Sequence, residues 1–170
     1  MAEAIVTTQL PGEAKAPEAP RSIAVIISKG TLDMAYPGLI LANAARMSGI
    51  EATLFFTFWG LDVITEKKVD HLHTPTVGNP ALPIPTLLGG LPGIEAATTA
   101  MMKKQMKQID IPSVREMLQI LSDSGAHIYA CALAMEMFKL EKEELVPQVE
   151  GVLSAMDFFD KTQGAQLLFV

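Results

Sequence analysis

The chain lacks the features that several classes of protein require. It has a single cysteine, Cys131, among 170 residues, so no internal disulfide and no thioredoxin-like dithiol cycle within one chain is available. Its 13 basic residues are outnumbered by 19 acidic ones, and the formal charge of −6 argues against nucleic acid as a partner. Residues 1–20 have no apolar core of a secretory signal, and we therefore expect a cytoplasmic protein.

An unbroken apolar segment of membrane-spanning length is also missing. The most apolar stretch, Pro80 to Met102, is interrupted by Pro83, Pro85 and Pro92. Prolines at this density break a helix, and a bilayer offers no partners for the backbone groups that are freed. We expect a loop that packs on the protein or on a second subunit, and membrane association is not favoured.

What the chain does contain is an alternation of strand and helix patterns. Residues 1–21 predict a flexible tail, and residues 22–170 predict one domain with a long irregular insertion at about 66–93. Strands are predicted at 23–27, 52–58, 127–131, near 149 and at 165–170, so that the chain ends in a strand of the sheet. Helices are predicted from the turn 28–31 to about 47, and at 94–108, 113–124, 133–138 and 151–161. This order predicts an α/β fold, a three-layer α/β/α sandwich around a mostly parallel sheet of about five strands.

Two helices carry clear local signatures. Ser113 and Glu116 have the spacing of a capping box at a helix start. In the segment 151–161, the spacing of Val152, Ala155, Met156 and Phe159 predicts a buried face. The methionines are interpreted as core side chains, the alternative being an adaptable binding surface; they stand at 101, 102, 106, 117, 135 and 137.

Cys131 is the most informative candidate for chemistry. It stands where the predicted strand 127–131 passes into a helix, and active groups gather at the carboxyl ends of parallel strands. Helix N-termini favour the thiolate, which is the reactive form of cysteine. A single thiol can attack a substrate or carry a group such as a persulfide sulfur. The alternative is an inert core cysteine, because free cysteine is among the most buried residue types.

Other polar residues give weaker patterns. His71 and His73, with Asp70 beside them, have a spacing that suits a metal, but no third or fourth ligand is apparent and surface histidines are the commoner case. His127 lies four residues before Cys131, about 13 Å away in an extended strand, and is too far to act as its base.

Two further segments have features of binding elements. Lys103, Lys104 and Lys107 form a basic cluster that suits a helix C-terminus or an acidic partner. The turn 28–31 follows the first strand, where nucleotide-binding folds place a phosphate loop, but it matches no phosphate-binding pattern.

Several segments, in order, resemble the DsrE/DsrF/DsrH-like sulfur-relay family, closest to a DsrE-like branch with a long Pro/Gly-rich insertion. The matching segments are 26–30, 56–61, 101–104, 111–118 and 129–137. The resemblance implies a small α/β/α protein that forms homo-oligomers and needs no cofactor. It also implies that Cys131 accepts sulfane sulfur as a persulfide and exchanges it with TusA-like and rhodanese-like carrier proteins.

The leading hypothesis is therefore a sulfur carrier, or sulfurtransferase, with Cys131 as its nucleophile. Two alternatives stay open. In one, the protein is a non-catalytic scaffold in which Cys131 is structural. In the other, it binds a small ligand in the crevice at the strand ends.

Overall fold

A computed structural model describes residues 21–75 and 93–170, and it arranges their strands in one parallel sheet. The strands are β1 (Ser22–Ile27), β2 (Glu51–Phe56), β3 (His127–Cys131), β4 (Gly151–Leu153) and β5 (Gln166–Phe169). The helices are α1 (Leu32–Met47), α2 (Ile94–Gln108), α3 (Val114–Asp123), α4 (Ala132–Phe138) and α5 (Ala155–Lys161). Short 3₁₀ helices lie at Phe58–Ile64, Val69–His71 and Lys142–Glu144.

The strand order is β4-β3-β2-β1-β5, and every neighbouring pair is parallel. The chain therefore steps in one direction from β1 to β4 and then crosses back to place β5 beside β1. The apolar residues of β1, β2 and β3 fill the centre because strands buried on both faces are continuously hydrophobic. The expected α/β fold with a parallel sheet of five strands is confirmed.

Helices cover both faces of the sheet. On one face, Gly38 of α1 packs against the side chains of Val25 and Ile27, and α3 packs beside α1. On the opposite face, Phe158 of α5 stacks on Phe55 of β2 with ring centroids 4.5 Å apart. The two faces follow from the register, because Val25 pairs with Leu54 and neighbouring strand residues point to opposite sides. The sheet is thus the middle layer of three.

The segment 151–161 differs from its prediction. Gly151–Leu153 is a strand, and the helix begins only at Ala155, with Ser154 as the cap that accepts from the Asp157 backbone N–H. The predicted apolar face is wrong, since Met156 is 77% exposed, whereas Phe158 is buried. Val149 lies before the strand rather than in it. The helical spacing misled because Val152 belongs to the strand and the helix begins only after the cap Ser154.

Other boundaries and burial patterns also shift. The second strand ends at Phe56, and the chain ends, as predicted, in a strand of the sheet, β5, which lies at an edge. In α2 the buried residue is Thr99, whose hydroxyl oxygen accepts a hydrogen bond from the backbone N–H of Thr74. Met101 of the same helix is exposed. The core interpretation of the methionines holds for those at 117 and 135, but those at 101 and 137 are exposed.

One local prediction is confirmed in detail. The capping box of α3 is present, with Ser113 and Glu116 exchanging both hydrogen bonds. The predicted tail, apart from Arg21, and positions 76–92 of the predicted insertion lie outside the described residues. Within the part of the chain that is described, no helix has both the length and the apolar character needed to cross a membrane.

Arg115 joins α3 to the segment that follows the 3₁₀ helix Phe58–Ile64. Its guanidinium donates to Asp70 at 2.8 Å and pairs with Glu66 at 2.9 Å. The hydrogen bonds from Arg115 hold the pKa of Asp70 below its usual range. The stabilisation is therefore complete above the unfolded-state pKa of Asp70 and is lost as the pH falls through its lowered folded-state value.

We expect Arg115→Gln to lower the free energy of unfolding by at most about 1 kcal/mol at neutral pH, because the pairs are exposed to solvent. The difference from the wild type should fade as the pH falls below about 3.9. Urea denaturation across this pH range measures it, with Lys104→Gln on exposed α2 as the control. A difference independent of pH would show that Arg115 acts through packing instead.

Candidate functional site

Cys131 occupies the junction that the sequence predicted. It is the last residue of β3 and the N-cap of α4, and 8% of its surface is exposed. It pairs in register with Leu153 and lies on the same face of the sheet as Tyr129. The first turn of α4 leaves backbone N–H groups without helical partners at this end of the strand. The thiol therefore sits at the carboxyl edge of the sheet, largely enclosed by apolar neighbours.

Two glycines bring the loops after β1 and β2 into backbone contact beside this edge. A Cβ atom on Gly60 would lie 2.1 Å from the carbonyl oxygen of Ile27. A Cβ atom on Gly30 would lie 2.4 Å from the carbonyl oxygen of Trp59. Only glycine allows this approach, and the 3₁₀ helix Phe58–Ile64 then packs against β3 and α4.

The same loop displays aromatic side chains to solvent. Phe58 is 52% exposed and Trp59 is 64% exposed. Phe58 also has a positive φ of 46°, a conformation that costs a side chain other than glycine about 1–3 kcal/mol. The sequence analysis gave these residues no role of their own. The sequence feature that could have indicated a role for them is the position of two aromatic residues between a buried strand and Gly60.

A cluster of hydrogen-bonded polar side chains lies along the face of β3 that also carries Cys131. Glu150 accepts a hydrogen bond from the Tyr129 hydroxyl at 2.9 Å, and its carboxylate is 2.9 Å from Nδ1 of His127. Burial, followed by the hydrogen bond to Glu150, raises the pKa of Tyr129 to about 12. Lys161 lies over the Tyr129 ring at 5.4 Å from its centroid. His127 is thus held by Glu150, at the end of the strand away from Cys131.

The histidines at 71 and 73 lie apart from Cys131. They border a cavity of about 590 Å³ whose lining also includes Gly30, Thr31, Lys67, Lys68 and Glu95, but not Cys131. His73 Nδ1 is 3.4 Å from Glu95, and Lys103 donates to the backbone oxygen of Asp70. Among the described residues, no three His, Cys, Asp or Glu side chains converge as metal ligands. The turn 28–31 contributes to this cavity rather than to the surroundings of the thiol.

The fold and the site define a class: α/β proteins that carry one thiol at the carboxyl edge of a parallel sheet, where a strand passes into a helix. The chain belongs to the DsrE/DsrF/DrsH-like family, whose model matches residues 19–169. This confirms the family that the sequence segments resembled.

Two curated relatives cover most of the chain. The chain is 36% identical over 146 residues to the sulfur carrier protein DsrE2 of Allochromatium vinosum, a match covering 81% of this chain and 91% of that protein. It is 23% identical over 151 residues to the uncharacterized protein YrkE of Bacillus subtilis, covering 86% of this chain and 94% of that protein.

A solved structure supports the fold. The crystal structure of the ychN protein from E. coli superimposes with a TM-score of 0.51 and 15% sequence identity, covering 88% of this chain and 99% of that chain. At this identity the likeness bears on the fold alone.

Proposed function

We propose that this protein is a sulfur carrier that accepts sulfane sulfur on Cys131 as a persulfide and relays it to a protein acceptor. The observation that carries the proposal is the placement of the chain's one thiol at the strand-to-helix junction. The 36% identity to a protein named as a sulfur carrier supports the sulfur chemistry. Family membership supports the same role.

The chemistry needs one thiol and no oxidant. The Cys131 thiolate attacks the outer sulfur of a donor persulfide, so that a bond to Sγ forms while the donor's sulfur–sulfur bond breaks. The donor leaves as a thiolate, and with thiosulfate as donor the leaving group is sulfite. Transfer onward repeats the exchange with the acceptor thiolate as nucleophile. The backbone N–H groups at the start of α4 favour negative charge at this position.

The resemblance to the sulfur-relay family implies the partners. We infer that donors and acceptors are TusA-like and rhodanese-like carrier proteins, that no cofactor takes part, and that the protein works in the cytoplasm. Transfer between the purified protein and each type of carrier tests the partners directly.

We also infer a homo-oligomer. Its support is the sheet face that carries the short helix α5, where apolar side chains stay open to solvent. Phe159 is 58% exposed, and Leu167 and Phe169 of the edge strand are 48% and 72% exposed. Apolar surface of this kind is typical of protein interfaces. A monomer by light scattering at high concentration would rule the homo-oligomer out.

Incubation with thiosulfate or a persulfide-loaded carrier is expected to load one sulfur atom onto the protein. Intact-protein mass spectrometry should show a gain of about one sulfur mass that a reductant reverses, and fragmentation should locate it on Cys131. A parallel sample alkylated beforehand serves as the control. If the unblocked, reduced protein gains no sulfur from either donor, the carrier role is wrong.

The cavity beside the turn 28–31 favours one alternative, a small-ligand-binding protein of the same fold. Its lining does not include Cys131, so a ligand held there would bind independently of the thiol. Saturable binding of a ligand that survives Cys131→Ser would support this function. The scaffold alternative predicts instead that Cys131 reacts slowly with bulky thiol reagents.

A further inference from the structure

Four exposed apolar side chains belong to α4, which begins directly after Cys131, and to the 3₁₀ helix Phe58–Ile64, which packs against α4 and β3. Phe58 and Trp59 begin the 3₁₀ helix Phe58–Ile64, and Leu133 and Met137 lie on α4, which starts directly after the thiol. Leu133 is 72% exposed and Met137 is 52% exposed, and their spacing of four residues puts them on one side of the helix. These four side chains are called the apolar collar below.

We propose that the apolar collar is the docking surface for the carrier protein that exchanges sulfur with Cys131. This inference rests on the proposed function and adds to it the surface and the chemistry of the partner. Partner binding is usually dominated by a few large apolar or aromatic anchors, with tryptophan and tyrosine prominent among them. Trp59 and Leu133 are the most exposed members of the collar.

The backbone conformation beside the apolar collar is a second observation, independent of side-chain exposure, that supports a functional surface here. Phe58 has a left-handed φ of 46°, and the loop that holds it is fixed by the close contacts of Gly30 and Gly60. Strained residues persist where the surrounding structure fixes them, and they cluster at functional sites. Here the strained position is Phe58, at the start of the 3₁₀ helix that packs against α4 and β3.

The burial of Cys131 restricts how a partner's sulfur atom can reach the thiol. Only 8% of its surface is exposed, so a donor or acceptor sulfur reaches it along a narrow approach. A carrier seated on the apolar collar would hold its own sulfur at that approach and exclude water from the exchange. Pre-aligning the two sulfur atoms turns a bimolecular reaction into an effectively unimolecular one.

Charge beside the collar identifies the kind of partner. The segment Glu136 to Glu144 contains four carboxylates and two lysines, a net charge of −2, and Lys67 lies 3.7 Å from Glu144. This segment runs next to the 3₁₀ helix Phe58–Ile64, because Val146 donates to the Ile64 carbonyl oxygen and Thr65 bridges to Leu145. The partner is therefore a carrier protein with an apolar centre and a basic rim. A second copy of this chain would bring a like-charged rim against it.

The test compares a protein donor with a small donor on the same variants. The donors are a persulfide-loaded TusA-like carrier and inorganic polysulfide, and the rate of Cys131 loading is followed by mass spectrometry. In Trp59→Ala/Leu133→Ala, the ratio of the carrier rate to the polysulfide rate should fall at least about tenfold. Ile109→Ala, which trims an exposed side chain outside the collar, is the matched control.

Two further measurements keep the test decisive if the double variant folds poorly. Leu133→Lys, at a 72% exposed position, should lower the same ratio in a well-folded protein. Raising the salt concentration from about 50 to about 500 mM should slow loading from the carrier and leave loading from polysulfide much less affected.

The outcomes separate this inference from the proposed function. If wild-type protein takes sulfur from neither donor, both are wrong. If it loads from polysulfide but not from the carrier, or if the collar variants keep the wild-type ratio, only the docking surface is wrong. A collar variant that changes the oligomeric state and keeps the ratio would assign the surface to contacts between copies of this chain.

Discussion

Replacing Cys131 by serine is expected to lower sulfur loading at least about 100-fold, to the detection limit. A serine hydroxyl stays protonated at neutral pH and forms no stable bond to sulfane sulfur, so nothing at the end of β3 replaces the thiolate. Mass spectrometry after incubation with persulfide-loaded carrier measures the loss. Because Cys131 is the chain's single cysteine, no other thiol can take over the sulfur.

The fold should survive this substitution. Cys131 is 8% exposed, and a hydroxyl buried there without a partner costs about 1–2 kcal/mol. Cys131→Ala removes the thiol without adding a polar group, and we expect it to be the more stable of the two variants and equally unable to load sulfur. Thermal unfolding followed by circular dichroism compares them. Sulfur loading that persists in either folded variant would exclude Cys131 as the carrier.

Replacing Gly60 by alanine is expected to lower the free energy of unfolding by more than about 4 kcal/mol, enough to leave little folded protein in a marginally stable domain. The new Cβ atom would lie 2.1 Å from the carbonyl oxygen of Ile27, and that oxygen belongs to β1, which is paired on both sides in the sheet. Neither backbone can move without breaking the packing of the loops after β1 and β2. Soluble yield and urea denaturation measure the effect.

Gly38→Ala is the matched control for this prediction. Its Cβ atom would lie 2.8 Å from Cδ1 and 2.9 Å from Cγ1 of Ile27, which are side-chain atoms rather than backbone. We expect a loss of about 1–2 kcal/mol from the crowding, offset by about 1 kcal/mol because alanine favours the helix. Similar destabilisation by both substitutions would contradict the argument that backbone contact makes Gly60 indispensable.

The parts of the fold that sequence predicted are those that local pattern determines. Ser113 and Glu116 form the predicted capping box because the two residues need only each other and the helix start. Residues 127–131 form the predicted strand, and Cys131 stands at its end as expected. The position of the thiol was thus available from the sequence, whereas its role stays a prediction.

The parts that sequence did not predict depend on distant neighbours. Phe158 is buried because Phe55 lies opposite it, while Met156 and Phe159 in the same helix stay exposed. Thr99 is buried because it bonds to Thr74, and not because of its hydrophobicity. The exposure of Phe58 and Trp59 follows from the contacts that Gly30 and Gly60 make between the loops after β1 and β2, which no local pattern encodes.

The pairing of β1 with β5 has a consequence for how the protein is made. β1 leaves the ribosome early, and the strand that completes its second side is separated from it by most of the chain. Until β5 emerges, β1 exposes an unpaired edge of apolar residues to other nascent chains. The order β4-β3-β2-β1 can form first, so the segment holding the thiol is assembled while this edge is still open. Synthesis that stops before β5 would therefore yield chains prone to aggregation, with the sulfur-bearing half already folded.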